Sequence, residues 1–271
     1  MSTRTTIMTT AALAAALALV PAFRTLAVEP LKPAQSDAVP LDAVPMAPGT
    51  MSSEGGTPPP DLRLRAIVAR AWDDSILTWQ RLERSEAVDI SSVTLRFVAH
   101  LEPDDCYGLY TGDGPAYCSG NRTVFVGTGA VTRLMARFGQ QGDAGITFLI
   151  GHEFGHHIQN IHGRFTALSA MLTHFPKQRL ELMRRIELEA DCYAGIWMHA
   201  SDAWSSSADF REQVLAALAS IGDDTMLGAA AVAENSSRAV HGTSEQRTRW
   251  FLRGANGGDV EACNTFGAAG L

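Results

Sequence analysis

Residues 152–156 read His-Glu-Phe-Gly-His and follow the apolar residues Ile146, Phe148, Leu149 and Ile150. No other stretch constrains the fold as strongly. Two histidines at this spacing lie on one face of a helix, one turn apart, so their imidazoles can share a single cation. Zn²⁺ suits such a pair because it takes nitrogen ligands at ~2.0–2.1 Å in a tetrahedral shell. Glu153 is rotated off the histidine face. It can address a water that the cation activates, which is where a general base belongs. The competing reading is a surface helix carrying solvated His and Glu, but the apolar run before the motif sinks this helix into a core. The chain must then bring a third ligand to the helix and leave a fourth position open.

Residues 187–191, Glu-Leu-Glu-Ala-Asp, offer that ligand. Glu187 and Asp191 share one face of a helix. Glu187 is expected to bind the metal, and Asp191 to accept the free ring N–H of His152 and hold its tautomer. Glu189 points about 200° away from Glu187 and is the poorer candidate. The bland alternative is an exposed acidic face continuing Arg184 and Arg185.

The stretch His-Glu-Phe-Gly-His-His-Ile-Gln at 152–159 resembles the neutral zinc metallopeptidases of bacteria, the YpfJ-like proteins. Residues 187–195 (ELEADCYAG), 241–251 (HGTSEQRTRWF) and 263–266 (CNTF) look like that family's second, third and C-terminal motifs. Gly114-Pro115-Ala116-Tyr117-Cys118 is similar to its cysteine loop. The resemblance runs in order from about residue 65 to 267. It implies a zincin-like fold and a zinc-dependent peptidase. Glu187 with Asp191 also resembles the Glu-x-x-x-Asp of gluzincins, in which the Glu binds zinc. It transfers a mechanism, not a substrate.

Hydrolysis of an amide builds negative charge on the carbonyl oxygen, and a donor aimed at that charge contributes heavily to the rate. His241, in a loop before a helix, is the candidate catalytic donor. Arg247 is the alternative, either binding a substrate carboxylate or buttressing the carboxylates of the site. Without such roles, His241 caps the following helix and Arg247 forms a structural ion pair. His157 is rotated off the ligand face. His100, His162, His174 and His199 read as surface or core residues.

The N-terminus speaks to compartment. Arg4 precedes an uncharged, apolar or small stretch at 7–22, and Thr25-Leu26-Ala27 supplies small residues for cleavage before Val28. This is the layout of a signal peptide over residues 1–27. An uncleaved N-terminal anchor is the alternative, although the run falls short of the ~20 apolar residues that span a bilayer. Residues 28–60 are Pro-rich and aperiodic, as expected of a disordered linker, which leaves 61–271 for the metallopeptidase domain. Within it, periodicity predicts helices over Asp61–Glu83, from Gly145 onward, from Pro176 to about His199, over Asp209–Ile221 and after Ser244. Strands are predicted at 93–100 and 123–126, with 101–121 rich in turns. The class is α+β, mostly helical with a small sheet.

Export permits disulfides. Cys106 and Cys118 flank one loop and are expected to pair locally, which leaves Cys192 for Cys263. No Cys-x-x-Cys spacing supports a cysteine zinc site. The net charge of −7 argues against nucleic acid as a partner. A membrane partner follows only if the N-terminal segment is retained. The leading reading is a secreted or periplasmic zinc peptidase acting on peptide or protein substrates. The alternatives are a Fe(II) site of two histidines and a carboxylate, and a secreted metal-binding or scaffold protein without peptidase activity.

Overall fold

The computed structural model describes residues 60–83, 88–99, 101–106, 114–201 and 203–271. The export signal read at 1–27, nearly all of the Pro-rich stretch read at 28–60, and His100 lie outside these residues. The elements in chain order are α1 (Pro60–Leu82), β1 (Thr94–Val98), β2 (Pro115–Cys118), β3 (Thr123–Gly127), α2 (Thr128–Phe138), α3 (Gly142–Ile161) and α4 (Arg164–His174). There follow α5 (Arg179–Ala200), α6 (Ala208–Ser220), the short α7 (Asp223–Met226) and α8 (Ala229–Ala233), and α9 (Ser244–Ala255). The sheet has the order β1-β3-β2, with β3 parallel to β1 and antiparallel to β2. Helices dominate and the strands are few, an α+β arrangement. Among the described residues no helix is long and apolar enough to cross a membrane.

Several elements differ from the sequence reading. β2 lies inside the stretch read as turns. Pro115 opens it on the edge of the sheet, a place where a missing N–H costs nothing, and this hides a strand only four residues long. The sequence predicts no helix over α2, because Gly127, Thr128 and Gly129 are poor helix formers and mask its start. α4 was also missed. α1 starts at Pro60, one residue before the predicted Asp61, which therefore sits in its first turn. Pro176 heads a short 3₁₀ turn, and α5 proper starts at Arg179.

The centre of the domain is α3, buried from Gly142 through Gln159 except at Asp143 and Thr147. Its apolar residues face partners on several sides. Trp72 of α1 meets Phe154 edge-on with ring centres 5.5 Å apart, and Phe251 of α9 meets Phe148 at 5.7 Å. Trp79 of α1 packs against Tyr193 of α5, and the Trp197 indole donates to Asp74 at 2.9 Å. Aromatic pairs of this kind contribute beyond the area they bury.

Helices α5 and α9 cross in direct backbone contact at two glycines. A Cβ on Gly254 would collide with the carbonyl oxygen of Cys192, and one on Gly195 with that of Phe251. Neither neighbour is a flexible side-chain tip, so the helices themselves would have to part. Gly254→Ala is therefore expected to destabilise the fold by about 1–3 kcal/mol or more, read as a lowered midpoint in thermal unfolding.

Both disulfides form, Cys106–Cys118 beside the sheet and Cys192–Cys263 between α5 and the C-terminal segment. Arg185 of α5 grips the same segment by donating to the carbonyls of Thr265 and Ala268. Such bonds fit an oxidising compartment outside the cytoplasm.

Candidate metal centre

Helix α3 presents His152 and His156 on the side facing α5. Gly151 and Gly155 lie on that side too. A Cβ on Gly151 would strike the Trp197 ring, and one on Gly155 would come within 2.9 Å of the Ala190 carbonyl. Their bare backbone lets α5 approach closely enough for Glu187 to reach both imidazoles. Glu187 Oε2 stands 3.3 Å from His152 Nε2 and 3.5 Å from His156 Nε2. Ligand atoms on a tetrahedral cation with bonds of ~2.0–2.1 Å are separated by about 3.3–3.4 Å, so the spacing matches.

The outward nitrogens explain which atoms converge. His152 Nδ1 lies 2.8 Å from Asp191 Oδ1, and a carboxylate only accepts, so Nδ1 carries the proton. His156 Nδ1 lies 2.8 Å from Gln159 Oε1. The Gln159 amide nitrogen donates to the Ile186 carbonyl at 2.7 Å and to Glu189 at 2.9 Å, which fixes its oxygen toward His156. Both Nε2 atoms thus face Glu187, and each can offer its lone pair to a cation that takes the place of a proton. Two nitrogens and one carboxylate oxygen form a donor set suited to Zn²⁺.

The electrostatics favour positive charge at this point. Burial alone would push the His152 imidazole down, but Asp191 and Glu187 raise it to about 10. Burial likewise opposes the rise of His156, which Glu187 brings about. The Glu187 carboxyl, which burial would raise, is held well below the usual range by His156 and His152. A dication supplies the charge these groups call for.

Two different supports stand behind the two histidines. Asp191, fully buried, is gripped by Arg247, whose Nε and Nη2 donate to its two oxygens at 2.9 and 2.8 Å. Arg247 thus takes the buttressing place considered for it, and also donates to the Ile221 carbonyl. Behind His156 stand Gln159 and Glu189, and Glu189 pairs with Arg164 of α4 at 2.9 Å. Gln159, Arg164 and the use of Glu189 were not anticipated. Gln159 follows His156 by three residues on one helix face, and that spacing was the available signal. Gln159→Leu is expected to weaken zinc affinity about 10–100-fold with the fold intact, as measured by competition with a chelating dye.

Glu153 is not among the three converging donors. With His152, Arg247 and His241 it lines a cavity of about 340 Å³. His241 does not cap α9; Thr243 does, in a capping box with Gln246. The His241 loop is held by Asp223, a buried residue the sequence reading overlooked. Its carboxylate accepts from the backbone N–H of His241 and of Gly242, each at 2.8 Å, and lies 3.3 Å from His241 Nδ1. The imidazole is half exposed and close enough to contribute to the lowering of Glu187.

His157 points away from the donors. It lies between the Ile90 carbonyl and the Tyr117 hydroxyl, each at 3.1 Å, and burial pushes it down to about 4. His162 pairs with Glu83, while His174 and His199 are exposed.

Residues 45–266, most of the chain, match a family described as "Putative neutral zinc metallopeptidase". The match begins before the resemblance read from the motifs, inside the Pro-rich stretch. Among curated proteins, YpfJ of Escherichia coli K12, itself uncharacterized, is 36% identical over 159 residues, which is 57% of this chain and 54% of that protein. The uncharacterized protein Mb2605 of Mycobacterium bovis is 31% identical over 170 residues, 58% of this chain and 57% of that protein. The chain thus spans little more than half the length of the curated relatives it matches. No solved structure matches it significantly.

Proposed function

The chain belongs to the neutral zinc metallopeptidase family, and from that premise we propose that it is an exported, zinc-dependent peptidase of zincin-like, gluzincin type. The observation that carries this reading is the convergence of His152 Nε2, His156 Nε2 and Glu187 Oε2, with Glu153 beside them on an open cavity. Bound by those three residues, zinc supplies Lewis acidity, polarising a carbonyl and making water a stronger acid. Glu153 takes the proton of the attacking water and passes it to the leaving amine. His241 donates a hydrogen bond to the carbonyl oxygen as charge develops there, with Asp223 orienting its ring. Asp191 and Gln159 hold the two ligand imidazoles in the tautomer that leaves Nε2 free.

Export rests on the two disulfides and on the signal-like residues 1–27, and it puts the domain in the periplasm or outside the cell. If the N-terminal segment is retained, it anchors the domain to the membrane from outside the cytoplasm. The test is metal analysis of the purified chain together with incubation in a diverse peptide library, read by mass spectrometry. One equivalent of zinc is expected, with cleavage that a chelator abolishes and added zinc restores. Iron as the stoichiometric metal would overturn the reading. So would a zinc-loaded protein that cleaves nothing, which would leave a metal-binding scaffold.

A further inference from the structure

The cavity beside His152 and Glu153 has a second wall, which the chemistry does not use. Leu134 of α2, Leu149 of α3, Ile221, and Met226 and Leu227 around α7 face it. Met226 is 46% exposed, one of the few large apolar side chains left open to water among the described residues. An apolar wall continuous with catalytic groups is the usual composition of a ligand pocket, and about 340 Å³ lies at the small end of that range. It suits one large side chain and its flanking backbone.

The charges around the cavity are nearly all committed. Arg247 is spent on Asp191, and Asp223 on the His241 loop. Glu153 is the proposed base. Arg238 remains, exposed, lining the same cavity and without a carboxylate partner among the described residues. A ligand complementary to this lining is apolar in the pocket and carries negative charge near the rim.

We propose that this cavity is the specificity pocket of the enzyme. It takes a bulky aliphatic or aromatic side chain next to the scissile bond, while a carboxylate of the same substrate pairs with Arg238. The proposal rests on the peptidase reading, and its test separates the two. Zinc-loaded Glu153→Gln protein is titrated with fluorescent peptides that differ at one position (Leu, Phe, Ser or Lys), while the wild type digests the same set.

Leu and Phe peptides are expected to bind and be cleaved about 10-fold or more in preference to Ser. Met226→Asp, on an exposed side chain and with its zinc content checked, is expected to erase that preference. Peptides with a free C-terminus, an amidated C-terminus, or an added Asp or Glu side chain identify the source of the carboxylate. Arg238→Gln is expected to abolish the difference among them.

Equal handling of apolar and polar peptides, no binding of either, or a preference unmoved by Met226→Asp would overturn the pocket. Selective binding without wild-type cleavage would instead overturn the peptidase and leave the pocket standing. Amidated peptides bound as well as free acids, with no gain from Asp or Glu, would remove Arg238 from the proposal.

Discussion

Glu153→Gln is expected to slow peptide hydrolysis by about 10²–10⁴-fold while the protein keeps one equivalent of zinc. Glutamine preserves the shape of the side chain and removes only its capacity to take a proton. Zinc should stay because Glu153 is not among the converging donors, which are His152, His156 and Glu187. The supports behind them, Asp191 with Arg247 and Gln159 with Glu189, do not involve residue 153 either. Measuring kcat/KM on a cleaved peptide beside metal content checks both halves. Near-normal hydrolysis would remove Glu153 from the proton path, and loss of zinc would mean that the mutation damaged the site itself.

The second large effect is on stability. Arg247→Met should cost about 3–5 kcal/mol, because it leaves the buried Asp191 carboxylate without its cation. For a domain of this size that lowers the unfolding midpoint by roughly 6–20 °C. The pH dependence follows from the direction of the Asp191 shift. Burial would raise that carboxyl, but Arg247 and His152 hold it below the usual range. A depressed carboxyl stabilises the fold fully above its unfolded value, ~3.9, and loses that contribution as pH falls through the folded value. The gap between mutant and wild type should therefore be widest near neutral pH and narrow in acid. Equal melting temperatures at pH 7 would show that the fork carries no net stability.

How much was legible beforehand depended on whether a feature is local. His152, His156, Glu187 and Asp191 could be grouped because helical spacing converts sequence separation into a shared face. The tertiary step, that α5 lies against the right side of α3, came from chemistry: a pair of histidines on a metal needs another ligand. Asp223 could not be found this way. It precedes His241 by 18 residues, and only the packing of α7 under the loop joins them. Glu189 was set aside because it points away from Glu187, which is correct as geometry. It nevertheless supports His156 through Gln159, a path that becomes visible only once α3 and α5 are packed together. β2, only four residues long, lacks the periodicity that a pattern reading needs, whereas α2 carries it at Val131, Leu134, Met135 and Phe138 but starts on glycines that disguise it.

The glycine crossing of α5 and α9 bears on the candidate metal centre at a distance. Gly195 lies one turn beyond Asp191 on α5, and Gly254 two turns beyond Arg247 on α9. With no side chain between them, the two helices have a single possible separation there, set by hard backbone contact. The backbone stop thus helps set the spacing at which Asp191 and Arg247 meet. The alignment behind His152 therefore depends on two residues that carry no side chain at all.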